Sequence, residues 1–170
     1  FIEQAIIESK RLGMTTSIVS NGTRMDYKWL SRMSAHLDWL GISIDSPNDE
    51  VHAKMGRGRK GEIIAGKTNH LDRCLEVWEI AKSLGYGLKL NTMVNSHNIG
   101  SDMSNLVRSL SPARWKIFQF LHIIGENDAA VESGVGLEEF RDYVSRHQQT
   151  LKDTGIGIIS EENGDMLGSY

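Results

Sequence analysis

Cysteine is almost missing from this sequence: Cys74 is the only one in 170 residues. A single thiol excludes an internal disulfide framework, and with it any metal site built from several thiolates of this segment. Long apolar runs are missing too. Nothing approaches the roughly 20 consecutive apolar residues that cross a bilayer, and no signal peptide opens the chain. A strong excess of one charge is also lacking. The formal net charge of −3 argues against a general nucleic-acid binder, whose surface would be basic. What remains, 39% hydrophobic and 24% charged residues, is the composition of a soluble globular chain able to bury one good core.

Helical and extended patterns alternate along that chain. FIEQAIIESKRLG has helical periodicity from Phe1 onward, so the sequence is expected to start inside a helix, which Gly13 stops. TTSIVS (15–20) reads as a strand followed by the Asn21-Gly22 turn, and a helix is expected from Asp26 to Ala35. DWLGISID (38–45) is the second strand, ended by Pro47, and 48–68, with its interspersed glycines, reads as an irregular stretch. A helix from about Asn69 to Leu84 precedes the strand GLKLNTMV (87–94). Ser101-Asp102 caps a helix to Leu110, a strand covers 114–121, Leu137 to Leu151 is helical, and GIGIIS (155–160) closes the series. Strand-helix-strand spacing of this kind predicts βαβ units in one parallel sheet. The expected class is α/β, a partial (β/α) barrel with helices outside, forming a single domain over 1–170 or part of one. Its site belongs at the C-terminal strand ends.

Two strands carry cations in an odd place. Alternation puts Arg114, Lys116, Phe118 and Phe120 on one face of the fourth strand, and Trp115, Ile117, Gln119 and Leu121 on the other. In GLKLNTMV the same rule groups Lys89, Asn91 and Met93 against an apolar Leu88, Leu90, Thr92 and Val94. If the two strands are neighbours, Lys89, Arg114 and Lys116 converge, and three interior cations want a polyanion. Arginine's planar fork and lysine's point charges together suit a triphosphate, with Asn91 adding a hydrogen bond to a phosphate or sugar oxygen. The blander alternative is that the cations snorkel from a solvent-exposed strand start. GRGRKG lacks nucleotide-loop spacing and follows no strand, so its glycines are read as permitting a turn.

SIVSNG, ISIDS, MGRGRKG, KLNTMVN, ARWKIFQFLHIIGEN and the final EN…SY, in this order and over nearly the whole length, resemble the viperin family of radical S-adenosylmethionine (SAM) enzymes. The resemblance implies the partial (β/α) barrel of the radical SAM type. It also implies SAM and a [4Fe-4S] cluster as cofactors, a nucleoside triphosphate such as CTP as substrate, and abstraction of the ribose C4′ hydrogen followed by dehydration to a chain-terminating didehydro-deoxy nucleotide in antiviral defence. By the same resemblance Ser43 and Arg57 hold SAM and Leu121 lines its adenine. Lys89, Asn91, Arg114 and Lys116 take the triphosphate and sugar, and Glu162 and Tyr170 lie near the substrate, the tyrosine as hydrogen-atom donor. The family's CxxxCxxC loop is not here and Cys74 cannot replace it, so the cluster ligands are expected outside this sequence, in an enzyme truncated here at both ends and inactive as this fragment alone. The expected setting is cytoplasmic, or the cytosolic face of a membrane if an anchor precedes the domain. Neither direct nucleic-acid binding nor a membrane segment is expected, and the residues leave oligomeric state open. Two other readings stand beside this one: a different radical SAM enzyme, or a non-catalytic domain that binds a phosphorylated ligand.

Overall fold

A computed structural model describes residues 1–166. Five strands, β1 (Ser17–Ser20), β2 (Trp39–Ser43), β3 (Gly87–Val94), β4 (Arg114–Gln119) and β5 (Gly157–Glu161), form one sheet in chain order, and every neighbouring pair is parallel. The helices between them are α1 (Ile2–Arg11), α2 (Tyr27–Met33), α3 (Asp49–Lys54), α4 (Lys60–Ile64), α5 (His70–Ser83), α6 (Ser104–Leu110), α7 (Leu137–Leu151) and α8 (Asn163–Met166), with a 3-10 turn at Asp128–Ser133. This is the expected α/β arrangement, and the sheet, β1 at one edge and β5 at the other, does not close.

One face of the sheet is core. Leu40, Ile42, Leu90, Trp115 and Ile117 are wholly out of water and meet Cys74, Val77, Trp78 and Ala81 of α5 and Phe140, Tyr143 and Val144 of α7 in one cluster. Each large apolar side chain buried this way contributes about 1.5–3 kcal/mol. The polar atoms drawn into this layer are matched: the Trp115 indole donates to Thr92 Oγ1 at 2.9 Å, and Thr92 donates on to the Ile44 carbonyl at 2.7 Å, tying β2, β3 and β4 together near their C-terminal ends. The other face keeps its side chains half-exposed, as the burial alternation of β3 and β4 shows.

Three expectations need correction. Residues 48–68 are not irregular but hold α3 and α4. Asn48 accepts from Glu50 N at 2.7 Å, Glu62 accepts from Arg59 N at 2.8 Å, and Gly56 and Gly58, at φ 73° and 147°, make the turn between two short, locally capped helices. The helix expected to be capped by Ser101-Asp102 starts at Ser104 with Met103 in the cap position, while Asp102 accepts from Ser104 N at 2.8 Å. Strand β4 ends at Gln119, two residues early. Phe120, expected with Lys116 and Phe118, is therefore buried, and Leu121, expected opposite them, turns onto their side.

Candidate functional site

The half-exposed face of the sheet is laid out in tiers by the strand register. Gly41, Lys89, Arg114 and Gly157 stand side by side across β2 to β5; one step nearer the C-terminal ends come Ser43, Asn91, Lys116 and Ile159; one step further come Met93, Phe118 and Glu161. The four expected substrate residues thus come together, with Ser43 in the row of Asn91 and Lys116. Glycine is required at the base of this face, because a Cβ on Gly87 would stand 2.5 Å from the Trp39 ring.

Charge on this face is mostly positive. Lys89 Nζ lies 4.8 Å from the centre of the Trp39 ring and 3.4 Å from Ser17 Oγ. Burial, together with the nearby Arg114 and Lys116 charges, lowers its pKa, so the site already strains against a full set of cations. Arg114 is exposed. Lys116 pairs with the Glu161 carboxylate, its Nζ 4.8 Å from the Phe118 ring centre, and both side chains are about a third exposed. Three cations facing a single carboxylate leave positive charge in excess, which an anionic ligand would neutralise.

Beyond the cations, at the strand ends, a cavity of about 240 Å³ is lined by Met93, Phe118, Gln119, Leu121, Ile123 and Met166. Its wall is a tied loop: Asn127 accepts from Ile123 N at 2.8 Å and donates to the Leu121 carbonyl at 3.0 Å, while Asp128 accepts from Gly125 N at 3.0 Å. Gln119 is held in place, donating to Val135 O and accepting from Asn163 N, each at 3.0 Å. The cavity therefore offers apolar walls to a flat ring.

Arg57 stands at the end of β2. Its Nε donates to Asp45 Oδ2 at 2.5 Å, and Asp45, out of water, also accepts from Met93 N at 2.8 Å. The bond uses Nε and spares both Nη nitrogens, the fork that a ligand carboxylate or ribose would take. Around this pair the interior is polar. His52 Nε2 accepts from the Asp45 and Ser46 N–H groups at 3.2 and 3.1 Å, Asn98 donates to the Asp45 and Met93 carbonyls at 2.8 Å, and His70 donates to the Ser43 carbonyl at 3.2 Å. In the sequence Asp45 is only the last residue of the expected strand 38–45. Its place two residues after Ser43, on the same alternation, was the available signal.

Glu162 pairs with α7 and not with Lys89, Arg114 or Lys116. Its carboxylate accepts from Arg141 of α7 at 2.8 and 3.0 Å, whereas its neighbour Glu161 meets Lys116. Tyr170 lies outside the described residues. Cys74 is buried in α5, and burial pushes its thiol up to about 12, consistent with a small packed side chain.

Taken together, a parallel βα sheet with a cavity at its strand ends and cations below it on the same face defines a (β/α)-barrel type of protein. The sequence pattern of the Radical SAM superfamily matches residues 1–109, and the chain belongs to that superfamily. Within it the sequence resembles viperin-type proteins. It is 34% identical, over its whole length, to an S-adenosylmethionine-dependent nucleotide dehydratase of Lacinutrix mariniflava and to one of Flammeovirga pacifica, covering 34% and 56% of those proteins. It is 32% identical over 92% of its length to the zebrafish (Danio rerio) S-adenosylmethionine-dependent nucleotide dehydratase RSAD2, covering 42% of it. The chain thus spans between about a third and just under three fifths of these relatives' length. Among solved structures the fold is similar to Streptococcus suis SuiB, with a TM-score of 0.71 at 11% identity over 94% of this chain and 36% of that one. It is also similar to anSMEcpe with bound AdoMet, with a TM-score of 0.65 at 15% identity over 84% and 37%.

The family's cofactors are SAM and a [4Fe-4S] cluster, and the residues present answer differently to each. The apolar cavity at Leu121 and the spare fork of Arg57 have the chemistry SAM needs, an adenine slot and a carboxylate or ribose partner. For the cluster the fit fails: among the described residues no group of three or more His, Cys, Asp or Glu could hold a metal ion. No helix among them is long and apolar enough to cross a membrane.

Proposed function

We propose that this chain is the substrate- and SAM-binding part of a viperin-like nucleotide dehydratase acting in antiviral defence. SAM and the cluster would, when bound, supply the radical chemistry for removing the ribose C4′ hydrogen of a nucleoside triphosphate and dehydrating it to a didehydro-deoxy nucleotide. The observation that carries this reading is the pair of successive rows on adjacent strands, Lys89 beside Arg114 and Asn91 beside Lys116. These side chains grip the triphosphate, Arg114 through its fork and the lysines as point charges, and so fix the sugar one tier nearer the strand ends. Ser43 and Arg57 hold the ribose or methionine carboxylate of SAM, and Leu121 covers the adenine. Glu162 and Tyr170 are assigned to the neighbourhood of the substrate, the tyrosine as hydrogen-atom donor.

The test is a titration of the full-length, cluster-containing protein with CTP and CMP at one salt concentration. Lys116→Ala is expected to weaken CTP binding by roughly 1.5–3 kcal/mol, the loss of a charge-assisted hydrogen bond, and to weaken CMP binding less. Lys116→Met keeps the stem and removes the charge. If this variant binds CTP as tightly as the unsubstituted protein, Lys116 merely snorkels and the triphosphate assignment fails there.

A further inference from the structure

The cations on the sheet face can only donate. Lysine and arginine carry no acceptor, so they donate to phosphate and hydroxyl oxygens alike but cannot take the hydrogen of a hydroxyl; a group that tells a hydroxyl from any other oxygen must accept from it. Glu161 is the one carboxylate that the described residues bring to these cations. It reaches them from the last residue of β5, in the tier of Met93 and Phe118, and pairs with Lys116 one tier below. Met93 and Phe118 of that tier line the cavity at Leu121, so Glu161 stands at the level where the cation rows give way to the cavity.

This order along the strands has a consequence for any ligand that spans it. A nucleotide whose triphosphate lies on Lys89, Arg114 and Lys116, and whose sugar approaches a SAM adenosyl group at the cavity, must pass its sugar through the Glu161 tier. The Lys116–Glu161 pair is about a third exposed on each side, so solvent screens it and opening it costs little. A phosphate taking over Lys116 would free both carboxylate oxygens, and a carboxylate accepts readily from two neighbouring hydroxyls.

We propose that Glu161 is the acceptor for the sugar hydroxyls and gives the site its preference for ribonucleotides over deoxyribonucleotides. This inference rests on the nucleotide reading above. It assigns to Glu161, on the cation face, a role that Glu162 does not fill, its carboxylate being held by Arg141.

The experiment measures binding of the ribo and 2′-deoxy forms of the four common nucleoside triphosphates to the full-length, SAM-loaded protein and to its Glu161→Gln variant. The unsubstituted protein is expected to bind the preferred ribonucleotide about tenfold or more tighter than its 2′-deoxy form, the size of one hydrogen bond to a charged group. In Glu161→Gln this preference shrinks several-fold, because the ribonucleotide weakens while the deoxynucleotide does not. If the variant binds both forms more tightly by the same factor, Glu161 is only a counter-charge to Lys116 and the inference is overturned. If the preference persists undiminished, it is overturned equally. Failure of every ribonucleoside triphosphate to bind the unsubstituted protein would instead sink the nucleotide reading itself.

Discussion

Arg57 has two jobs that one substitution exposes together. It neutralises Asp45, a carboxylate out of water, and in the proposed site it also offers its Nη fork to SAM. Arg57→Ala is therefore expected to lower stability by about 3 kcal/mol, since an unpaired buried charge is left behind, and to weaken SAM binding while nucleotide binding at the folded protein stays near normal. Denaturant unfolding and calorimetry with each ligand separate these effects. Equal loss of both ligands would contradict distinct subsites. At this scale the sequence was read well where a strand's apolar pattern fixed parity and poorly where it did not. Leu88, Leu90, Trp115 and Ile117 leave no choice about which way Lys89, Arg114 and Lys116 must face. The run Ser160-Glu161-Glu162-Asn163 has no apolar residue to set its register, so which glutamate meets Lys116 was not legible.

Among the elements, βα alternation was legible because each helix and strand carries its own period, and the parallel order of the sheet follows from it. Helices α3 and α4 were not legible, because their stability lies in caps and in the Arg73–Glu62 pair at 2.9 Å brought from α5, not in an apolar stripe. Leu121 faces the cavity for a similar reason: alternation stops where β4 stops, and a loop tied by Asn127 takes over. The helices also carry a pH dependence. His52 of α3 accepts from the end of β2, and His147 of α7 accepts from Met103 N at the start of α6 at 3.0 Å while donating Nδ1–H to Tyr143 O at 2.7 Å. Burial, before any other cause, lowers the pKa of His52, His70 and His147. The folded state holds these rings neutral, whereas the unfolded chain protonates them near pH 6.5. Their contribution is complete above that value and is lost as pH falls below it toward their lowered folded values. Unfolding free energy is expected to drop between pH 7.5 and 5.5, above the range in which Asp38 and Glu62, both lowered to about 2, give up theirs. A flat profile across that window would show that protonated histidines are tolerated inside.

The whole molecule divides its work between two faces of one sheet. Helices and apolar side chains on one face supply the stability that allows unneutralised cations to stand on the other. The cavity at the strand ends lies beyond the cations on the same face. In the proposed function that adjacency would set SAM beside the sugar of a nucleotide anchored on the cations. The most direct measurement supplies the full-length, cluster-containing protein with SAM, a reductant and a nucleoside triphosphate carrying deuterium at C4′, and examines the 5′-deoxyadenosine formed by mass spectrometry. One deuterium per deoxyadenosine, together with a nucleotide product lighter by one water, is the predicted result. Deoxyadenosine without deuterium, formed while the nucleotide is unchanged, would contradict the account.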